Sequence, residues 1–289
     1  MGFPRIVCPD NENLLQSFTG RTVALRLNDC HGLTEAVKNV RQSGNNLFCV
    51  IVTSDRPLAD IDFDNYPDDI PLAVMAPALG RFRDLARHLD RLRKLNLRVY
   101  LPCHHADNLA ALRILSSVGI HCGADFRDGG TDWEALADLA TYAVLERAPH
   151  ADMEPFAFIV ANYPAAHRLD WGRVFFDAPG HFLHLNADGR VALSQAELDE
   201  QRFVAHNLNE IEAPAEFPPI RERLRGWRSY FIDNHPCASC RGWRICLGKF
   251  SSGLSESAGC AAFFGEMIDL VYQHAALQAA PEERRIWQP

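Results

Sequence analysis

RVYLPCHHADNLAALRILSSVGIHCGAD, residues 98–125, has the pattern of a strand, a helix and a second strand in succession. The apolar run 98–104 comes first, the helical spacing of leucines in 108–119 ends at Gly119, and a second apolar run, 119–125, follows at once. Two strands joined by a helix in this way lie parallel in one sheet, with a right-handed crossover. The stretch therefore predicts a βαβ unit.

The same alternation continues on both sides of this unit. It predicts further strands at 22–29, 46–54, 71–77 and 156–162, and helices at 31–44, 79–96 and 131–147, the last with Thr131 as its N-cap. Repeated βα units build one parallel sheet, but the pattern offers no seventh or eighth strand with which to close a barrel. The sequence therefore predicts an α/β fold with a partial (β/α)6-type barrel.

The pattern changes after residue 175. HFLHLNADGRVALS (181–194) predicts a β-hairpin, because two apolar runs flank the turn residues at 187–189. A helix with prolines at its start follows, then a cluster of cysteines, and finally an amphipathic helix at 261–280. We therefore expect two domains, 1–175 and 176–289.

Composition and charge exclude some classes of function. The formal net charge is -8, the sequence pI is about 5.8, and no block of lysine and arginine stands out, which argues against nucleic acid as a partner. No apolar run has the length of a membrane span, and the first residues do not form a secretory signal. We expect a cytoplasmic protein without a membrane partner, in which the nine cysteines are free thiols or metal ligands.

CASCRGWRIC (237–246) contains three cysteines with the spacing C-x2-C-x5-C, and Cys260 follows fourteen residues later. Thiolates bind soft or borderline metals, and four of them complete a tetrahedral set. One short C-x2-C followed by wider gaps is more typical of a [4Fe–4S] cluster than of a zinc ribbon, which has two such pairs. Zinc and metal-free thiols stay open as alternatives.

The order of features in this part of the chain resembles a SPASM domain, the auxiliary-cluster module of radical S-adenosylmethionine (radical SAM) enzymes that mature ribosomal peptides. The resemblance covers about residues 181–265 and rests on the hairpin, the helix before His235, C-x2-C-x5-C-x-G and the later cysteine. It implies that one [4Fe–4S] cluster is bound by four residues: Cys237, Cys240, Cys246 and Cys260. The family's further cysteines are missing, because GRVALSQ (189–195) has none and Phe250 stands at the other position. The resemblance therefore implies one cluster and a C-terminal SPASM-like iron–sulfur module.

The barrel region resembles the radical SAM partial barrel in the order of its units but lacks its catalytic motif. That family has C-x3-C-x2-C after the first strand; here Cys30 is followed by Thr34 and Val37 at those spacings. The resemblance then implies a degenerate member that does not use S-adenosylmethionine and is without radical chemistry. We expect a non-catalytic protein that binds a radical SAM enzyme, a precursor peptide or both, or that relays electrons in peptide maturation.

Residues at the ends of the predicted strands support a different hypothesis, a metal-dependent enzyme without S-adenosylmethionine. Carboxyl ends of parallel strands meet at one face, where ligands or a general base can assemble. Buried cysteines and loop histidines are, however, common without any function. The candidates are Cys30, His31, Cys103, His104, His105, His121 and Cys122, with Asp29, Asp55 and Asp125.

Overall fold

The computed structural model describes residues 2–29, 32–64, 66–126, 130–163, 169–248, 250 and 254–279. Its strands belong to one sheet. They are β1 (Arg5–Pro9), β2 (Thr22–Leu27), β3 (Asn46–Thr53), β4 (Leu72–Met75), β5 (Leu97–Pro102), β6 (His121–Asp125), β7 (Met153–Glu154), β8 (Phe182–Leu185) and β9 (Val191–Ala192).

The nine strands lie in the order β7-β6-β5-β4-β3-β2-β1-β8-β9. Every neighbouring pair is parallel except β8 and β9, which form an antiparallel hairpin. From β2 to β7 the spatial order follows the chain order, as expected for successive right-handed βα units. The predicted α/β class is confirmed, and the sheet is compatible with a partial barrel.

Helices flank this sheet and connect its strands. The longer ones are α2 (Leu33–Gln42), α5 (Ala106–Ser117), α6 (Trp133–Leu145), α7 (Phe156–Asn162), α9 (Pro218–Arg225) and α12 (Leu254–Ala279). The shorter ones are α1 (Glu12–Gln16), α3 (Phe82–Leu85), α4 (Leu89–Leu92), α8 (Gln195–Asp199), α10 (Arg228–Ile232) and α11 (Trp243–Cys246). Of the helices in the described ranges, none combines the length and the apolar character needed to cross a membrane.

The core follows from burial of the sheet on both faces. Val23, Ala24 and Leu25 of β2 are fully buried in succession, and β4 is buried along its whole length. Strands covered on both faces consist of continuous apolar runs, which is why the sequence shows runs here and not an alternation. The parallel part of the sheet is therefore recognisable from sequence.

The predicted strand at 156–162 is wrong, because these residues form α7. The carboxylate of Glu154 accepts a hydrogen bond from the Phe158 amide at 3.1 Å, which stabilises the first turn of a helix. Phe156 and Ile159, three residues apart, are the buried side chains of this helix. The strand that pairs with β6 is the two-residue β7 just before it.

The predicted hairpin at 181–194 is confirmed as β8 and β9, but β8 also pairs in parallel with β1. Strand β1 was not predicted, and it lies between β2 and β8. The hairpin therefore extends the sheet of the first 175 residues. The domain boundary at 175 stays a prediction.

Two helix details also differ from the sequence expectation. The helix predicted at 79–96 is divided into α3, a 3-10 turn at 86–88 and α4. The N-cap of α6 is Asp132 and not Thr131, since the Asp132 carboxylate accepts a hydrogen bond from the Ala135 amide at 3.1 Å.

Candidate metal centre

Three elements carry the four cysteines predicted as cluster ligands. Cys237 lies in a 3-10 turn at Pro236–Ser239, Cys240 follows that turn, Cys246 ends α11, and Cys260 lies in α12. The Cys240 amide donates to the Cys237 carbonyl at 3.3 Å. Because one turn follows another here, the first three cysteines stay near each other along the chain.

The side chains of the four cysteines converge on one site. A hydrogen bond with the Cys246 thiol raises the pKa of Cys260 most, burial adds to this, and the negative charges of Cys246, Cys240 and Cys237 raise it further. Burial raises the pKa of Cys237 as well, followed by the charges of Cys246 and Cys240. Charge effects of this kind need short separations, so Cys237 and Cys260 each lie within electrostatic reach of Cys240 and Cys246.

Two close backbone approaches hold the site together. A Cβ at Gly242 would lie 2.3 Å from the Cβ of Phe264 in α12, so only glycine lets the cysteine segment touch that helix here. Gly248 has φ +75°, and a Cβ there would lie 2.3 Å from the Tyr230 ring. The amide of Cys237 is satisfied by Nδ1 of His235 at 3.2 Å.

Aromatic side chains pack in two groups, one at α11 and one beside α12. Trp227 stacks on Trp243 with ring centroids 5.7 Å apart, and Phe231 meets Trp243 edge-on at 5.2 Å. In the second group Phe250 packs on Trp133 at 5.1 Å and on Phe264 at 5.9 Å. Cys246 and Cys260 are buried, whereas Cys237 and Cys240 are partly exposed. The arrangement limits the access of water to the inner pair of thiols.

The four thiols are candidate donors for zinc or for an iron–sulfur cluster. In the part of the chain that the structure describes, no three histidine, cysteine, aspartate or glutamate side chains are close enough together to hold one metal ion. A zinc ion needs all four sulfurs around one atom, whereas a [4Fe–4S] cluster distributes its four thiolates over four irons. Thiols are the donor type that both groups take.

The strand-end cysteines and histidines do not come together in the same way. His121 starts β6 and Cys103 follows β5, so the two lie at opposite ends of the sheet. Cys122 donates to the Leu112 carbonyl at 3.4 Å and thus faces α5, and His121 meets Asp152 at 3.6 Å. Cys30 and His31 lie outside the described residues.

The other candidates at this face are not grouped either. The rings of His104 and His105 lie against each other with centroids 4.1 Å apart, and Cys103 is 3.8 Å from the Thr131 hydroxyl. Asp29 and Asp55 are exposed, whereas Asp125 is buried. The described members of the set do not form a ligand group of three.

The structure instead has a cavity of about 810 Å³ at the carboxyl ends of the central strands, which the sequence analysis missed. Arg26 of β2 lies in its wall together with Gln195 of α8, and His184 of β8 is also part of the lining. A charged residue inside the apolar run TVALRL (22–27) was the available signal, because a buried strand carries an arginine only where something binds it.

The sequence matches no protein-family model, and no match is found among curated proteins.

Proposed function

We propose that the chain is a non-catalytic, SPASM-like partner protein of a peptide-maturation system, with a degenerate radical SAM barrel and one [4Fe–4S] cluster. The cluster's ligands are Cys237, Cys240, Cys246 and Cys260. The convergence of these four thiols, drawn from three separate elements, is the observation that carries the proposal.

The chemistry of the thiols supports a bound cation at this site. Burial raises the pKa of Cys237 most and a hydrogen bond with Cys246 raises that of Cys260 most, and in both cases the charges of neighbouring thiolates raise the pKa further. A positively charged iron–sulfur core removes this repulsion and holds all four sulfurs as thiolates. The cluster then cross-links a turn, α11 and α12, in a region where short helices bury little core of their own.

The sequence supports a partner role over catalysis by this chain. A radical SAM active site needs three cysteines in one C-x3-C-x2-C motif, and the chain has no such motif. The auxiliary site, in contrast, keeps a full set of four ligands. A protein with this combination contributes binding or electron relay, and a separate radical SAM enzyme carries out the chemistry.

A surface beside the thiols has the character of a binding face for that partner. Arg221, Arg225 and Arg228 are exposed and, among the described residues, form no ion pair, and Phe231 and Ile232 are exposed next to them. This segment has four arginines against one glutamate in a chain of net charge -8. We call these five residues the arginine surface, and its charge suits an acidic enzyme surface or an acidic peptide.

Iron and sulfide content after anaerobic purification tests the cluster. We expect about four irons and four sulfides per chain, a brown colour and the visible charge-transfer absorbance of a [4Fe–4S] centre. Cys260→Ser should lose most of the iron, whereas Cys122→Ser, which changes a buried cysteine that faces α5, should keep it. Stoichiometric zinc with no iron, or full iron in Cys260→Ser, would falsify the assignment.

Association with the enzyme tests the partner role. The expected partner is a radical SAM enzyme, or a short precursor peptide, encoded beside this chain, and its capture should weaken as salt rises. Arg225→Glu with Arg228→Glu should lower the affinity about tenfold, while Arg83→Glu, an exposed arginine on α3, should not. Absence of association with either partner at low salt contradicts the role.

A further inference from the structure

We propose that the cavity at the carboxyl ends of β1 to β4 binds a ligand that carries a carboxylate next to an apolar side chain. Arg26 receives the carboxylate, and a wall of phenylalanines receives the apolar group. Free apolar amino acids and the carboxyl end of a peptide share this chemistry. The inference goes beyond the proposed function and does not depend on the cluster.

Arg26 is a partly buried guanidinium whose hydrogen-bond partners are neutral. It donates to Oε1 of Gln195 and, at 3.4 Å, to the carbonyl of Leu185. Within the described residues it takes part in no ion pair. A guanidinium has more N–H donors than these two acceptors occupy, and its planar fork matches a carboxylate.

Burial makes this charge costly in the ligand-free protein. It lowers the pKa of Arg26, while the charges of Asp199 and Cys8 oppose that effect. Asp199 is linked to Arg26 through Gln195, because Nε2 of Gln195 donates to the Asp199 carboxylate at 2.7 Å. Arginine nevertheless stays protonated in proteins, so a bound carboxylate supplies the direct counter-charge that the wall lacks.

The opposite wall of the cavity is apolar. Met75, Phe126, Phe175 and Phe176 line it, and the Phe126 and Phe175 rings meet edge-on at 6.0 Å. A cavity of about 810 Å³ is within the range that holds an amino acid or a short peptide end. An apolar side chain placed here is removed from water while its carboxylate reaches Arg26.

A strained residue forms part of this wall. Phe176 has φ +58°, a conformation that a bulky side chain rarely adopts. The buried His184 hydrogen-bonds through Nε2 to the Phe176 carbonyl at 2.9 Å and helps to hold it there. Strained backbone of this kind concentrates at ligand sites, where it fixes a side chain in a binding position.

Acidic residues at the rim limit which anions can enter. Asp199 and Glu200 are exposed at the mouth, and Glu200 pairs with Arg202 at 2.6 Å. Exposed charges are screened, so they do not exclude a single carboxylate, but they repel phosphates and other polyanions. The half-buried Asp177 lines the cavity as well, so the acidic residues of the lining disfavour anions that carry more than one charge.

Calorimetric titration of the full-length protein with matched ligands tests this site. The probes are N-acetyl-L-phenylalanine and its carboxamide, and a pentapeptide ending in phenylalanine as acid and as amide. We expect the acids to bind at least about tenfold more tightly than the amides, and Arg26→Gln to abolish that difference. Arg56→Gln, an exposed arginine outside the cavity, is the control. Iron content measured on the same samples shows whether a change in ligand binding occurs without a change in the cluster.

The two ligand pairs also show how much of a peptide end the site binds. Tighter binding of the peptide acid shows that residues before the terminal one are bound as well, and equal binding of both acids shows that the terminal apolar residue is sufficient; either supports the site. Equal affinity of acid and amide, unchanged binding in Arg26→Gln, or no binding of either acid to folded protein overturns it. Tight binding of S-adenosylmethionine in place of these acids overturns it as well.

Discussion

Gly242 shows how one missing side chain shapes the cysteine site. A Cβ there would lie 2.3 Å from the Phe264 Cβ, which neither the turn nor α12 can accommodate without moving. We predict that Gly242→Ala costs about 1–3 kcal/mol of unfolding free energy through overpacking and separates Cys246 from Cys260. Chemical denaturation and iron content measure the two effects.

Gly265 provides the matched control in the same helix. A Cβ at Gly265 meets nothing within 4 Å, so Gly265→Ala should raise stability by about 0.5–1 kcal/mol and leave iron unchanged. Equal stability in the two alanine variants would show that the close approach at Gly242 has no energetic role.

At the scale of elements, a tryptophan of α6 is central to the packing of α12. Trp133 of α6 packs on Phe263 at 5.6 Å and on Phe264 at 6.4 Å, and Gly259 lies against its ring. We predict that Trp133→Leu costs about 2–4 kcal/mol and loosens Cys260, which lies on α12 between these contacts. Urea unfolding and the rate of iron loss to a chelator measure both.

Leu277→Ala is the control for this docking. Leu277 is half-exposed at the other end of α12, so its truncation should change stability by less than about 0.5 kcal/mol and leave the iron in place. A chelation rate in Trp133→Leu equal to that of the control would contradict a docking role for the tryptophan.

Elements with a long uniform pattern were predictable, and short ones were not. Strands β2 to β6 were found because burial on both faces gives each a continuous apolar run. FAFIVAN (156–162) is an equally apolar run, but the Glu154 carboxylate starts a helix there, and an apolar run alone does not separate the two states. β1 has only five residues, and its place in the sheet depends on a partner late in the chain.

The site was predictable to the extent that its residues are close in sequence. Cys237, Cys240 and Cys246 could be grouped by spacing alone, and Cys260 by chemistry. Arg26 was missed because Gln195 and Leu185, its partners, are brought to it only by the pairing of the late hairpin with β1. Contacts between distant parts of a chain leave no local pattern.

At the scale of the whole molecule, buried thiols make stability depend on alkaline pH. Burial raises the pKa of Cys8, Cys49 and Cys122 from 9.0 to about 12, and a nearby arginine offsets this in part in each case. Above pH 9.0 these thiols ionise in the unfolded chain but not in the folded protein. The unfolding free energy therefore stays level below that pH and falls between pH 9.0 and about 12.

Each thiol should lower the unfolding free energy by about 1.4 kcal/mol per pH unit in this window, so the three together lower it by about 4 kcal/mol per pH unit. Urea unfolding under reducing conditions at about pH 8 and pH 10 measures this loss. Replacing the three cysteines by alanine should lower stability at both pH values. It should also remove the thiols' contribution to the fall of unfolding free energy with pH. An unchanged slope in the triple variant contradicts the assignment.

The position of β1 has a consequence for synthesis on the ribosome. Arg5 of β1 pairs with Phe182 of β8, so one edge of the strand stays open in the nascent chain until the hairpin emerges. Open strand edges pair with other strands, so we expect a chaperone to bind this edge until the hairpin is synthesised. The hairpin precedes Cys237, so the sheet can be completed before any of the four clustered thiols is translated. Any metal group that these thiols bind would then be inserted into a finished sheet.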